Sequence, residues 1–265
     1  EEYCASPNSV RNLISFKCVE STVGKFNFCL SINSSPFRTL SEFFNSESRV
    51  SVSSFVHNTF YLWDWLVSRH NAEFSQLLAC YLPFEQLLEY MEWPNSSSTV
   101  LSHTKFSDVF SDLMLHLYIY NGPADDPVFD SPFSVTANIT DSQKKDLLHF
   151  MNRFLGGGRG CNLEHPSVDI TLMDICANGN AEPFDFKRAT SLINLLKGMI
   201  ISGLYSDATD FLYLKDMILK LTSELASNYI SPIGHGNLNF KNTKESESQS
   251  IRAALVKTGS LLLEA

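Results

Sequence analysis

The chain has 265 residues, 44% of them hydrophobic and 18% charged, and a net charge of −9. That length buries a sizeable core, as one large unit or as two lobes. The charge argues against nucleic acid and anionic membranes, which are bound by clustered Lys and Arg; here Lys144-Lys145 and Lys187-Arg188 are isolated pairs.

Residues 1–35 are the least helical part. Ser9 to Lys17 reads as a short helix. Phe26, Phe28, Leu30 and Ile32 alternate with polar residues, the period of a strand, so a small hairpin centred on Gly24 is expected. Ser35-Pro36 reads as a helix start, a hydroxyl cap followed by proline, with Leu40, Phe43 and Phe44 on the apolar side.

Val52 to His70 reads as an aromatic helix carrying Phe55, Phe60, Tyr61, Trp63 and Trp65. Those rings read chiefly as core; lining a ligand pocket or anchoring a partner is the functional alternative. After a break near Asn71, Phe74 to Tyr81 continues. Phe84, Leu87, Leu88 and Met91 form the next helix, stopped by Pro94 and Ser96-Ser97-Ser98. Phe106, Val109, Phe110, Leu113 and Leu117 recur at helical spacing and predict a helix to Tyr120. Asn121-Gly122-Pro123 ends it.

A long irregular stretch over 123–140 reads as a boundary between lobes. Thr140 with Gln143 forms a capping box that opens a helix to Leu155, and Gly156-Gly157-Gly158 closes it. Ser167 to Ala177 is the next expected helix. Phe184 to Leu204 is apolar on most sides, the mark of a central buried helix. Ser206-Asp207 starts a helix to about Asn228. Residues 231–250 are polar and read as a linker, before a terminal helix over Ile251 to Leu263.

The fold class is therefore mainly α. We expect a multi-helix bundle of about nine or ten helices in two packed lobes, with a small N-terminal β-hairpin. The lobes are 1–122 and 141–230, joined by the 123–140 loop and followed by 231–265.

The chemical motifs argue against known catalytic patterns. The Gly156–Gly160 run follows a helix and is not followed by Lys or Ser, so it is not a phosphate cradle. Cys161, His165 and Cys176 lack the fourth ligand and the paired spacing of structural zinc. His57, His70, His103, His116, His149 and His235 are scattered, most of them on expected helix faces or caps. No GxSxG occurs. Asp125-Asp126, Glu245 and Glu247 lie in polar loops, and Glu89 and Glu92 border an apolar helix as its wet face. Neither a catalytic site nor a metal or cofactor is expected.

Six cysteines are candidates for disulfides. Cys18 with Cys29 and Cys161 with Cys176 would be local staples, leaving Cys4 and Cys80; six buried thiols are the alternative. Three sequons, at Asn33, Asn95 and Asn138, fall in segments read as loops and are candidate glycosylation sites, although chance alone supplies as many in a chain this rich in Asn, Ser and Thr. A surface wetted by Ser and Asn, with charge below the usual quarter, suits a secreted protein.

The expected function is that of a secreted or cell-surface helical protein. It would bind a protein partner or a host-cell surface component, as a surface antigen or attachment protein does, with a pathogen origin suggested at class level only. An intracellular helical adaptor and a carrier of an apolar ligand are the alternatives. No apolar run reaches the ~18–20 residues of a membrane span; Leu192 to Leu204 is broken by Lys197. The chain begins at Glu1 rather than Met and reads as a processed or truncated form, so missing targeting segments carry little weight.

Overall fold

The computed structural model describes residues 14–22, 25–32, 35–40, 42–43, 50–69, 71–91, 107–120, 136–156, 172, 183–229, 251 and 253–260. The protein is mainly helical with one small antiparallel sheet. The expected helix over 167–177, other than a buried Leu172, and the stretches 157–171 and 230–250 lie outside the described residues.

The sheet holds three strands in the order β1 (Ile14–Thr22), β2 (Lys25–Ile32), β3 (Arg38–Thr39). The expected hairpin is present. The expected helix through Lys17 is not: Ile14 to Lys17 pair with Cys29 to Ile32. Alternating Phe16, Cys18 and the β-branched Ile14 and Val19 suit a pleated surface. Phe28, Leu30 and Ile32 are buried, as the alternation implies, but Cys29 and Ser31 are buried too.

Ser35-Pro36 does not start a helix. Residues 35–37 lie outside any helix or strand, and Arg38 and Thr39 pair with Leu30 and Cys29. The cap falls at Thr39, whose hydroxyl accepts from Glu42 N–H at 3.2 Å while Glu42 Oε2 accepts from Thr39 N–H at 2.9 Å. The reciprocal pair satisfies two donors where a lone Ser satisfies one. Ser35 is used locally instead, its Oγ accepting from Ile32 N–H at 3.2 Å.

Among the described residues seven α-helices follow: α1 (Val50–Val67), α2 (Ala72–Tyr81), α3 (Phe84–Met91), α4 (Ser107–Met114), α5 (Asp141–Leu155), α6 (Pro183–Ile201) and α7 (Ala208–Tyr229). A π-helical turn, Leu115–Ile119, extends α4. Among the described residues these eight elements are fewer than the nine or ten expected. Residues 253–260 are also helical.

The boundaries have local causes. Asn71 Oδ1 accepts from Phe74 N–H at 3.1 Å, so the break there is an N-cap. Thr140 and Gln143 form the expected capping box, and Gly156 closes α5 at φ 103°. Gly203, at φ 70°, closes α6: Leu204 N–H reaches Met199 O at 2.9 Å and Gly203 N–H reaches Ile200 O at 3.0 Å, the paired bonds of a Schellman cap.

Helix α6 is apolar nearly all round and is buried accordingly, from Ala189 to Ile201. It packs against α4, and α4 packs also against α3 and α1. Buried apolar residues from Phe28 to Leu255 join in one core, so helices on either side of residues 121–135 share it. Aromatic rings tie the sheet to α1: Trp63 meets Phe16, Phe28 and Phe60 at 5.3, 5.9 and 5.2 Å. Phe60 continues into Phe110 of α4 at 5.2 Å.

Candidate functional site: a charged seam between three helices

Polar residues at helical spacing are set into otherwise apolar helices. Helix α1 carries His57, Tyr61 and Asp64. Helix α4 and its π-turn carry Asp108, Asp112 and His116. Helix α6 carries Lys187 and Ser191. Each set advances by three or four residues, so each lies along one face of its helix. Packing brings the three rows together as two nodes, one turn apart.

The first node centres on Asp108, only 1% exposed. Tyr61 donates its hydroxyl to Asp108 Oδ2 at 2.5 Å. Lys187 Nζ lies 2.8 Å from the same oxygen, and His57 Nε2 lies 4.0 Å from Oδ1. Lys187 also touches the Tyr61 hydroxyl and sits over its ring, 4.3 Å from the centroid. His57 stands edge-on to that ring at 4.6 Å. Burial pushes the Asp108 carboxyl up, but hydrogen bonds from His57, Lys187 and Tyr61 outweigh it and hold the group below its ordinary value. Burial, reinforced by Asp108, pushes the Tyr61 phenol far up, so it stays a donor.

The second node is less balanced. Asp64 Oδ1 meets His116 Nδ1 at 2.6 Å, both side chains being largely buried. Asp112 accepts from the Ser191 hydroxyl at 3.2 Å. The other ring nitrogen of His116, Nε2, is buried and has no hydrogen-bond partner. The imidazole thus pairs with Asp64 and acts on Asp112 through its charge alone. Burial and then the Asp64 charge push the Asp112 carboxyl up to about 7, against the opposing pull of His116.

The π-turn is part of this geometry. Tyr120 N–H closes onto Leu115 O at 2.7 Å, a wide turn of the kind that recurs at functional sites. His116 lies in that turn and faces α1. Sequence reasoning placed His116 and His57 on helix faces or caps but did not pair them with acids. The available signal was the row Asp108, Asp112, His116 beside the apolar row Val109, Phe110, Leu113.

A second feature is the outward face of α1. Phe55, Leu62 and Trp65 are 56%, 54% and 53% exposed. At 100° per residue they share an arc of about 80° with exposed Asn58, and Arg69, in the turn after α1, stacks on Trp65 at 5.5 Å. The expected aromatic group therefore divides: Phe60 and Trp63 pack into the core, Tyr61 enters the seam, and Phe55 and Trp65 face out.

The sequence-proposed sites are dispersed. Cys4, Cys161, Cys176, Asn33 and Asn95 lie outside the described residues. In the strand register Cys29 stands opposite Lys17 and Cys18 opposite Phe28. Cys80 is exposed on α2 as a free thiol, its Sγ donating to Gln76 O at 3.3 Å. Among the described residues no cysteine pair is found, and no group of three or more His, Cys, Asp or Glu is placed to hold a metal ion. Asn138 is exposed in a segment outside any helix or strand, its N–H bonded to Tyr118 O at 2.8 Å.

These elements define a mainly helical protein with a small antiparallel sheet and a buried charged seam; among the described residues no helix is long and apolar enough to cross a membrane. Against protein-family models, curated proteins and solved structures, the chain finds no match.

Proposed function

We propose that the protein acts by binding a protein partner through the outward face of α1, as a secreted or cell-surface protein of the antigen or attachment type. One observation carries this reading. Helix α1 is apolar on two sides but buried on one: Val56, Phe60 and Val67 point into the core, while Phe55, Leu62 and Trp65 are each more than half exposed. A helix apolar all round normally has both sides covered, as α6 does. Exposed aromatic side chains are the usual anchors of protein partners. The outward leucines of α7, Leu212 and Leu219, differ because that surface also carries the Asp216–Lys220 ion pair. The Ser/Asn-rich composition supports the extracellular setting, and the exposed sequon at Asn138 is compatible with it.

The test is a photo-crosslinking residue at Leu62, with a control at Leu219, in living cells that carry the protein. A discrete protein adduct at position 62, absent at 219 and lost with Trp65→Ser, is expected. No adduct, or equal adducts at both positions, overturns the reading.

The exposed thiol of Cys80 favours a second reading, an intracellular helical adaptor, since exposed thiols persist in reducing compartments. Alkylation and intact mass with and without reductant separate the two: protected cysteines favour the first reading, six reactive thiols the second.

A further inference from the structure

The second node holds one more carboxylate than it can neutralise. Asp64 takes the His116 Nδ1 position at 2.6 Å. Asp112 is left with a neutral hydroxyl, Ser191 at 3.2 Å, and His116 Nε2 is left buried without a partner. In the first node, by contrast, one carboxylate faces Lys187, Tyr61 and His57. Asp64 and Asp112 are both partly buried, and like charges sharing a partly desolvated site do not both ionise cheaply.

From this geometry we propose that Asp64, Asp112, His116 and Ser191 form an acid-responsive clamp: as the medium acidifies from slightly alkaline to mildly acidic, the node takes up one proton, and α1, α4 and α6 hold together more tightly.

The groups facing Asp112 come from every helix packed on α4. Helix α1 brings Asp64, with His57 and Tyr61 one turn away. Helix α4 and its π-turn bring Asp108 and His116. Helix α6 brings Ser191 and, at the first node, Lys187; it also carries buried Arg188 and Lys197. Helix α3 brings Tyr90, whose ring packs on Phe110 at 5.1 Å, and exposed Glu85 and Glu89. Helix α2, which packs on the π-turn, carries Glu73, Cys80 and Tyr81 at exposed positions. Among the described residues Asp112 forms no ion pair.

The direction follows from linkage. The folded carboxyl titrates near 7 and the unfolded one near 3.8. Between those values the native state holds a proton that the unfolded chain has lost. Stability therefore falls as pH rises through that window, and the loss levels off only above the folded value of about 7.

The experiment measures unfolding of the full chain by urea from about pH 5 to pH 8, for wild type and Asp112→Asn. Asparagine keeps the acceptor for Ser191 and carries no charge. In wild type the unfolding equilibrium constant is expected to rise with pH, approaching tenfold per unit for one proton. In Asp112→Asn that slope is expected to flatten, and the variant to become more stable than wild type near pH 8. A slope unchanged by Asp112→Asn overturns the proposal, as does a wild type whose stability does not fall across the range. Carboxyl-carbon NMR of wild-type Asp112 gives a second readout that needs no variant. A midpoint in the ordinary aspartate range overturns the proposal as well.

Discussion

Asp64 and His116 are separated by 52 positions in sequence, and their side chains meet at 2.6 Å. The contact joins α1 to the π-turn beyond α4 and is largely buried. Breaking such a pair from one side leaves the other partner without compensation. His116→Ala should therefore destabilise the fold by about 3 kcal/mol at neutral pH. Asp64→Asn should cost clearly less, because it also removes the charge that opposes Asp112. Urea denaturation of both variants reads the difference, and equal losses would contradict the two-acid, one-imidazole arrangement.

Asp108 responds to pH with the opposite sign to Asp112. Its folded carboxyl is held below the ordinary 3.8, so its stabilisation is present above that value and is lost as pH falls through the folded value. Asp108→Asn should cost about 2 kcal/mol near neutral pH, the range for a buried bond to a charged group. The gap to wild type should close in strong acid. Thermal unfolding of both proteins across the acid range checks this; a gap that stays constant down to about pH 2 would contradict it.

Phe60 and Trp65 sit five positions apart on α1 with opposite environments. Phe60 is fully buried against Phe28, Trp63 and Phe110, so Phe60→Ala should cost about 3–5 kcal/mol. Trp65→Ser removes a half-exposed ring and should change stability by roughly 0.5 kcal/mol or less. Chemical denaturation of the two variants makes the comparison. A large loss at Trp65 would place it in the core and remove it from the proposed binding face.

Gln86 is a buried polar side chain with one assigned task. Its Oε1 accepts from the Phe28 backbone N–H at 2.9 Å, tying α3 to β2. Gln86→Leu would strand that donor, at a cost of about 1–3 kcal/mol, despite its apolar replacement. Hydrogen exchange at the Phe28 amide should accelerate in the variant, and unchanged protection would show the bond to be dispensable.

The elements were largely legible because their causes are local. The Thr140–Gln143 box, the glycine stop at Gly156, the alternation of β2 and the apolar stripes of α4, α5 and α7 each depend on residues a few positions apart. The errors were also local: Ser35-Pro36 resembled a cap, but the reciprocal Thr39–Glu42 pair prevailed, and Ile14 to Lys17 joined a strand that only β2 could stabilise. The candidate site was not legible. An Asp at a given helical position reads as a wet face until the neighbouring helix is known. The contacts joining α1, α4 and α6 cross separations of 47 to 126 residues.

The sequence by itself determined that the chain is mainly helical, where most of those helices begin and end, and which faces are apolar. Tertiary structure alone decided that Asp108 is buried beside a cation, that Asp112 is partly buried without one, and that one apolar side of α1 is left in water. The physical reason is that periodicity is a property of one segment, whereas burial and charge compensation are properties of the segments packed against it.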